Sequence, residues 1–256
     1  MAKGVWLEDL TWPEAKEWID RDAPFILPIG AASKEHGAHL PLKTDWLLAR
    51  DLSRRVIAEL PVVAAPVVGF GYYPAFVNYP GSQHIDADLF YRLLKTLLSK
   101  LMDDGVRNLA VINTGVSTEP TVRLVSRDLY QERRIRVYTA DIRLLGKRSE
   151  AGMQQKLGGH GDESETSMIL AIEPQSVRMD RAVVDYGHAL DQPKTVFYVP
   201  TIFNGDPATG PDYSVSGVRG DPTLATAEKG EAILSEMARE LVDGLKTLFP
   251  KALNHG

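Results

Sequence analysis

The stretch Phe25-Ile26-Leu27-Pro28-Ile29-Gly30 decides the fold. Five apolar residues end abruptly on a glycine, which reads as a strand buried on both faces. A polar loop runs from Ala31 to Lys43. Thr44 then opens a helix that places Leu47, Leu48, Leu52, Val56 and Leu60 on one face. Strand, polar loop, amphipathic helix is half of a βαβ unit, and the pattern repeats downstream. Val62–Val68 is a second apolar strand, followed by a Gly-, Pro- and aromatic-rich loop over 69–85. Leu89, Phe90, Leu93, Leu94, Leu97, Leu98, Leu101 and Met102 recur at helical spacing, and Gly105 ends that helix. Asn108–Ile112 is a third strand, a helix spans about 118–131, and Ile135–Ala140 is a fourth strand. Upstream, Thr11-Trp12-Pro13-Glu14 reads as a capping box that starts a short helix to about Asp20.

Alternating strands and helices predict an α/β fold: three α/β/α layers around a mostly parallel central sheet. Ligands in such sheets bind beyond the carboxyl ends of the strands. The loops that begin at Gly30, Gly69 and Asn113 should therefore share one rim. Further on, a Gly-rich connection over 146–161 leads to a helix at Glu163–Ile172. A Pro/Gly stretch covers 200–222, and a helix from about Thr223 to Phe249 closes the pattern. With no repeat and no linker, residues 1–256 are expected to form one domain.

The 256 residues carry a formal net charge of −5. That balance gives no reason to expect nucleic acid or an anionic membrane as partner, and favours a small-molecule ligand. No run approaches the ~18 apolar residues of a membrane span, and the first twelve residues lack a signal-peptide core. A cytoplasmic protein is expected. There is no cysteine, so thiolate nucleophiles, disulfides and Cys-based zinc sites are excluded. Any metal must be held by His, Asp and Glu.

Two clusters carry that chemistry. Glu35, His36, His39 and Asp45 fall within eleven positions of the loop after the first strand. Imidazole and carboxylate together suit zinc, manganese or iron. The alternative is a solvated loop with Asp45 as a helix-start charge. His160, Asp162, Glu163 and Glu165 follow Gly158-Gly159, which lets backbone approach a ligand closely. Here His160 and the acids could supply a metal ligand and a general base for a metal-bound water, His160 or Glu163 moving protons and Glu165 serving as a further ligand. The alternative is a set of acids in a helix first turn. Asn113-Thr114-Gly115-Val116-Ser117-Thr118 could orient a carbonyl oxygen through backbone N–H groups, with Ser117 and His39 facing substrate. A serine nucleophile is disfavoured, because the G-x-S-x-G elbow is absent. His84 is placed on the same rim or on the open surface, and His188 and His255 on the surface. Trp6, Trp12 and Trp18 read as packing or subunit contacts.

Taken together these motifs resemble the creatininase (creatinine amidohydrolase) family. The resemblance rests on Leu27-Pro28-Ile29-Gly30 followed by Glu35-His36-Gly37-Ala38-His39-Leu40-Pro41-Leu42-Lys43-Thr44-Asp45, on Tyr79-Pro80-Gly81-Ser82, and on His160 to Ser167. Gly217-Val218-Arg219-Gly220-Asp221-Pro222-Thr223 and Ala227-Glu228-Lys229-Gly230-Glu231 complete it. It implies a three-layer fold, a two-metal site, hydrolysis of a non-peptide, often cyclic, amide or formamide bond, and a homo-oligomer, often a hexamer. It carries His36 and Asp45 over as ligands, Asp45 at the bridging position. Lys34 stands where the family has a Glu ligand, with Glu35 the nearest acid. Gly115 stands where it has His, and Ser117 where some members have a carboxylate. The expected function is therefore a metal-dependent amidohydrolase with one or two ions. The alternative is a small-ligand binder with an eroded second metal site.

Overall fold

The computed structural model describes residues 3–188, 190, 196–197 and 199–253. His255 lies outside them. A five-stranded, wholly parallel sheet runs in the order β1-β3-β2-β4-β5. Its strands are β1 (Val5–Trp6), β2 (Phe25–Ile29), β3 (Val63–Ala64), β4 (Leu109–Asn113) and β5 (Val137–Asp141). The helices are α1 (Trp12–Asp20), α2 (Thr44–Glu59), α3 (Ala87–Asp103), α4 (Glu119–Arg133), α5 (Lys147–Glu150), α6 (Glu163–Ile172), α7 (Ala227–Leu248) and α8 (Pro250–Leu253).

Two cores flank the sheet, because successive side chains of a strand point to opposite faces. Ile26, Ala64, Ala110 and Ile112 face α2, α6 and α7, where Leu48, Leu52, Ile169, Ile233 and Met237 are buried. Phe25, Leu27, Ile29, Val63 and Val111 face α3 and α4, against Phe90, Leu94, Leu98, Val125 and Leu129. This is the expected three-layer arrangement.

Two prolines account for the main departure. The apolar run 62–68 forms ladder pairs only at Val63 and Ala64, with one later bridge between Ile29 and Val68. Pro28 turns toward this side of β2, where its carbonyl accepts from Val68 N at 2.9 Å. It has no N–H to return, and Pro66 has none either. β2 pairs with β4 over all five residues, because that register does not call on the Pro28 nitrogen. At the C-terminal end, Pro222–Leu224 is a separate 3-10 turn and the helix begins at Ala227, with Thr226 Oγ1 accepting from Lys229 N. The two-residue β1 was not expected from sequence. It puts Trp6 against one core, while Trp18 packs on the other and Trp12 is 83% exposed.

Candidate metal centre

The loops after β2 and β4 meet on one rim, as the parallel sheet requires. Thr114 Oγ1 lies 3.0 Å from the carbonyl oxygen of Ile29 and 2.9 Å from that of Asp45. Gly30 is obligatory at this junction, since a Cβ there would sit 2.2 Å from Asp45 O. The loop over 79–83 clamps the other side. Ser82 Oγ accepts from Glu35 N at 2.9 Å, and Gln83 N donates to Ser33 O at 2.8 Å. Lys34, Glu35, His36 and Asp45 are thereby fixed by backbone contacts, and all four are buried.

Their hydrogen bonds set the orientation of each ring. His36 Nδ1 lies 2.9 Å from Lys34 O, and His36 Nε2 lies 3.0 Å from Asp45 Oδ1. Both partners are acceptors, and a neutral imidazole has one N–H to offer. His160 Nε2 lies 2.8 Å from Glu35 O and 3.2 Å from Glu35 Oε2. Its N–H therefore sits on Nε2, and its Nδ1 lone pair faces Glu165 Oε2 at 3.9 Å. Ligand atoms of His36, His160 and Glu165 lie within 4.8 Å of one another. Imidazole nitrogens and carboxylate oxygens that converge in this way are a donor set suited to a borderline divalent cation.

The charges agree. Lys34 contributes one positive charge, and Glu35, Asp45 and Glu165 three negative ones, which leaves two negative charges for one divalent ion to neutralise. Burial would raise the Asp45 carboxyl, but the Lys34 ammonium and the His36 ring hold it well below the usual range. Burial also works against ionising Glu35, yet hydrogen bonding to His160 and to Gly37 N lowers its carboxyl. Burial would depress His160, and its bond to Glu35 instead raises it. Glu35 thus backs His160 and fixes its tautomer, as carboxylates do behind metal-bound imidazoles. Glu35, expected among the ligands, lies behind His160, whose Nδ1 faces Glu165.

The other expected residues lie around this group. Glu163 is fully buried, but its carboxylate turns away, accepting from Gln154 N, Gln155 N and Lys229 Nζ. Three of its roughly four acceptor sites are thus engaged by Gln154, Gln155 and Lys229. His39 is buried, its Nε2 2.8 Å from Thr166 Oγ1, and burial pushes its ring down to about 4. Ser117 lines a small cavity with Lys34, Asp45, Gly115 and Thr118. Asn113 is spent internally: Nδ2 donates to Gly115 O at 2.7 Å, and Oδ1 accepts from Thr118 Oγ1 at 2.7 Å. His84 is half-buried beside Tyr72 and Tyr73.

Sequence reasoning gave no site role to Gly217, Arg219 or Phe76. His160 and Arg219 exchange both backbone hydrogen bonds, at 3.2 and 2.7 Å. Gly217, at φ +79°, lets the chain pass where a Cβ would lie 2.0 Å from Glu35 Oε1. Phe76 stacks on the His160 ring at 4.1 Å between centroids. The glycine pattern of 217–220 was the available signal.

A sequence profile described as Creatininase: Creatinine amidohydrolase matches residues 8–245. A creatinine amidohydrolase from Pseudomonas putida is 26% identical, covering 98% of this chain and 99% of its own. A 3-dehydro-scyllo-inosose hydrolase from Thermotoga maritima is 25% identical over 96% of this chain and 85% of its own. A mycofactocin precursor peptide peptidase from Mycolicibacterium smegmatis is 26% identical over 88% and 85%. Among solved structures, a mutant creatininase of the Zn-Zn type superposes with a TM-score of 0.80 at 24% identity, covering 96% of this chain and 99% of that one. A manganese creatininase gives 0.79 at 24% identity over the same shares.

Proposed function

The chain belongs to the creatininase family, and from that premise we propose that it is a metal-dependent hydrolase that cleaves an amide or formamide C–N bond, other than a peptide bond, in a small molecule. The observation that carries the proposal is the convergence of His36, His160 and Glu165. These three would hold a zinc, manganese or iron ion, with Asp45 Oδ1 beside His36. Such an ion supplies Lewis acidity, polarising a carbonyl group and making a water more acidic.

The protein's own residues do the rest. Glu35 accepts the His160 Nε2 proton and so presents Nδ1 as a lone pair. Gly161 N donates to Glu165 Oε2 at 2.6 Å, which fixes that carboxylate. Phe76 covers His160 and keeps water from one face. A cavity of about 630 Å³, lined by Val116, Arg143, Met153, Leu157, Ser164 and Glu165, opens beside the group. Its size suits a small substrate, and Ser164 Oγ in its wall has no hydrogen-bond partner among the described residues.

Metal analysis of protein purified without chelator tests the reading, together with hydrolysis of a panel of cyclic ureides and formamides. About one equivalent of metal, lost in His160→Ala along with activity, is expected. Protein without metal, and without gain from added manganese or zinc, would refute it. That result would favour the second reading, a non-catalytic small-ligand binder, which the tie of Asp45 to Lys34 supports. A cytoplasmic homo-oligomer belongs to the proposal; cell fractionation and light scattering at micromolar concentration check it.

A further inference from the structure

Lys34 is the charged group that the proposed reaction does not use. Its ammonium lies 2.6 Å from Asp45 Oδ2, with the two side chains 7% and 2% exposed. It also stands over the Phe76 ring, 5.1 Å from the centroid. A buried ammonium is strongly disfavoured unless a carboxylate meets it, and Asp45 is the carboxylate that does. The cavity on this side of Asp45 has about 10 Å³, the room of one small particle. Its other walls are Gly115, Ser117, Thr118, Tyr73 and apolar groups. Neither imidazole nor a further carboxylate lines it.

We propose that the Lys34 ammonium is the permanent cation of this half of the centre, so that the protein takes one divalent ion, on the His36–His160–Glu165 side of Asp45, and not two. The relative of Zn-Zn type makes two ions the natural expectation, and the residues of this chain do not fit it. Asp45 Oδ2 already holds a full positive charge at 2.6 Å. A divalent ion on the same oxygen would meet that charge at contact distance in a buried site, where repulsion is least screened. It would have to recruit the hydroxyls of Ser117 and Thr118, and Thr118 Oγ1 is engaged by Asn113 Oδ1 and Gly115 O. The count of charge agrees: Lys34, Glu35, Asp45 and Glu165 leave two negative charges, which one divalent ion neutralises and two would overshoot. An amine fixed in the chain cannot be removed by a chelator, so one of the centre's three positive charges is permanent.

The inference rests on the proposed metal reading, and metal stoichiometry separates the two. Wild type and the double variant Lys34→Glu/Ser117→Glu are equilibrated with excess zinc, freed of unbound ion by gel filtration and analysed for metal. The variant replaces the ammonium with carboxylates on both sides of the small cavity. Wild type should hold one equivalent and the variant two. Two equivalents in the wild type, or no gain in a folded variant, would overturn the assignment. No ion in the wild type but one in the variant would refute the metal-dependent hydrolase and uphold the role of Lys34. A variant that does not fold leaves the wild type to decide by ¹⁵N NMR of lysine side chains. A slowly exchanging Lys34 ammonium signal that survives zinc saturation supports the proposal, and its disappearance on zinc binding overturns it.

Discussion

Replacing Lys34 by Met removes the ammonium while keeping an unbranched side chain of similar length. In ion-free protein this strands the Asp45 carboxylate, 2% exposed, with His36 as its remaining partner. Breaking a buried pair from one side costs about 3–5 kcal/mol, because a charge stays buried without its counter-charge. The His36 contact places the expected loss near the lower end, about 3 kcal/mol. At roughly 2–4 °C per kcal/mol for a chain of this size, melting should fall by about 6–12 °C. Urea unfolding at pH 7 in the presence of EDTA reads the loss directly. Adding Asp45→Asn removes the stranded charge, so the double variant should regain most of it. The resulting double-mutant cycle should give a coupling of about 2 kcal/mol or more. A loss under about 1 kcal/mol, or no recovery in the double variant, would refute the buried pair and the permanent cation with it.

Gly217→Ala should displace the Glu35 carboxylate and loosen His160, lowering affinity for zinc by about 10–100-fold in a chelator competition; unchanged affinity would remove Glu35 from its supporting role. Glu231, held at about 2 chiefly by its hydrogen bonds to Arg55, has a folded value below its unfolded one. It therefore stabilises the fold above about pH 4.3 and loses this as pH falls toward 2. Glu231→Gln should be less stable than wild type at pH 6, by under about 1 kcal/mol because the pair is half-exposed, and should converge with it near pH 2. His39, pushed down to about 4 by burial, should stay neutral from pH 8 to pH 5 in an NMR titration of ion-free protein; a midpoint near 6.5 would contradict its buried placement.

The layers were legible because strands and helices announce themselves by period. The apolar stripe of α3 and the Gly30 stop after β2 needed no tertiary information, and α6 begins and ends where its sequence pattern does. Pro66 shortened β3, because a missing donor matters only once the partner strand is known. Roles within the site were harder to read. Glu163 and Glu165 are two positions apart on a helix, about 200° around its axis, so they cannot serve one centre. Choosing between them needed the direction of α6 relative to the rim. Glu35 and His36 lie in a loop without period, and nothing local fixes which side chain turns inward. Lys34 reads as a surface residue by type; only the burial of its neighbours makes it a cation within the centre.

The antiparallel exchange between His160 and Arg219 also sets a schedule for the young chain. Glu35 finds its imidazole 125 residues later, and the backbone that pairs with that of His160 arrives only with Arg219. After residue 35 the chain must still add roughly 180 residues to reach Arg219, which a ribosome takes roughly 10–40 s to do. Throughout that interval the nascent chain carries Lys34, Glu35 and Asp45 without the Arg219 backbone that pairs with His160. Contacts of such long sequence separation form late and slowly. The surroundings of His160 are therefore completed late in synthesis, only once Arg219 is available to pair with it.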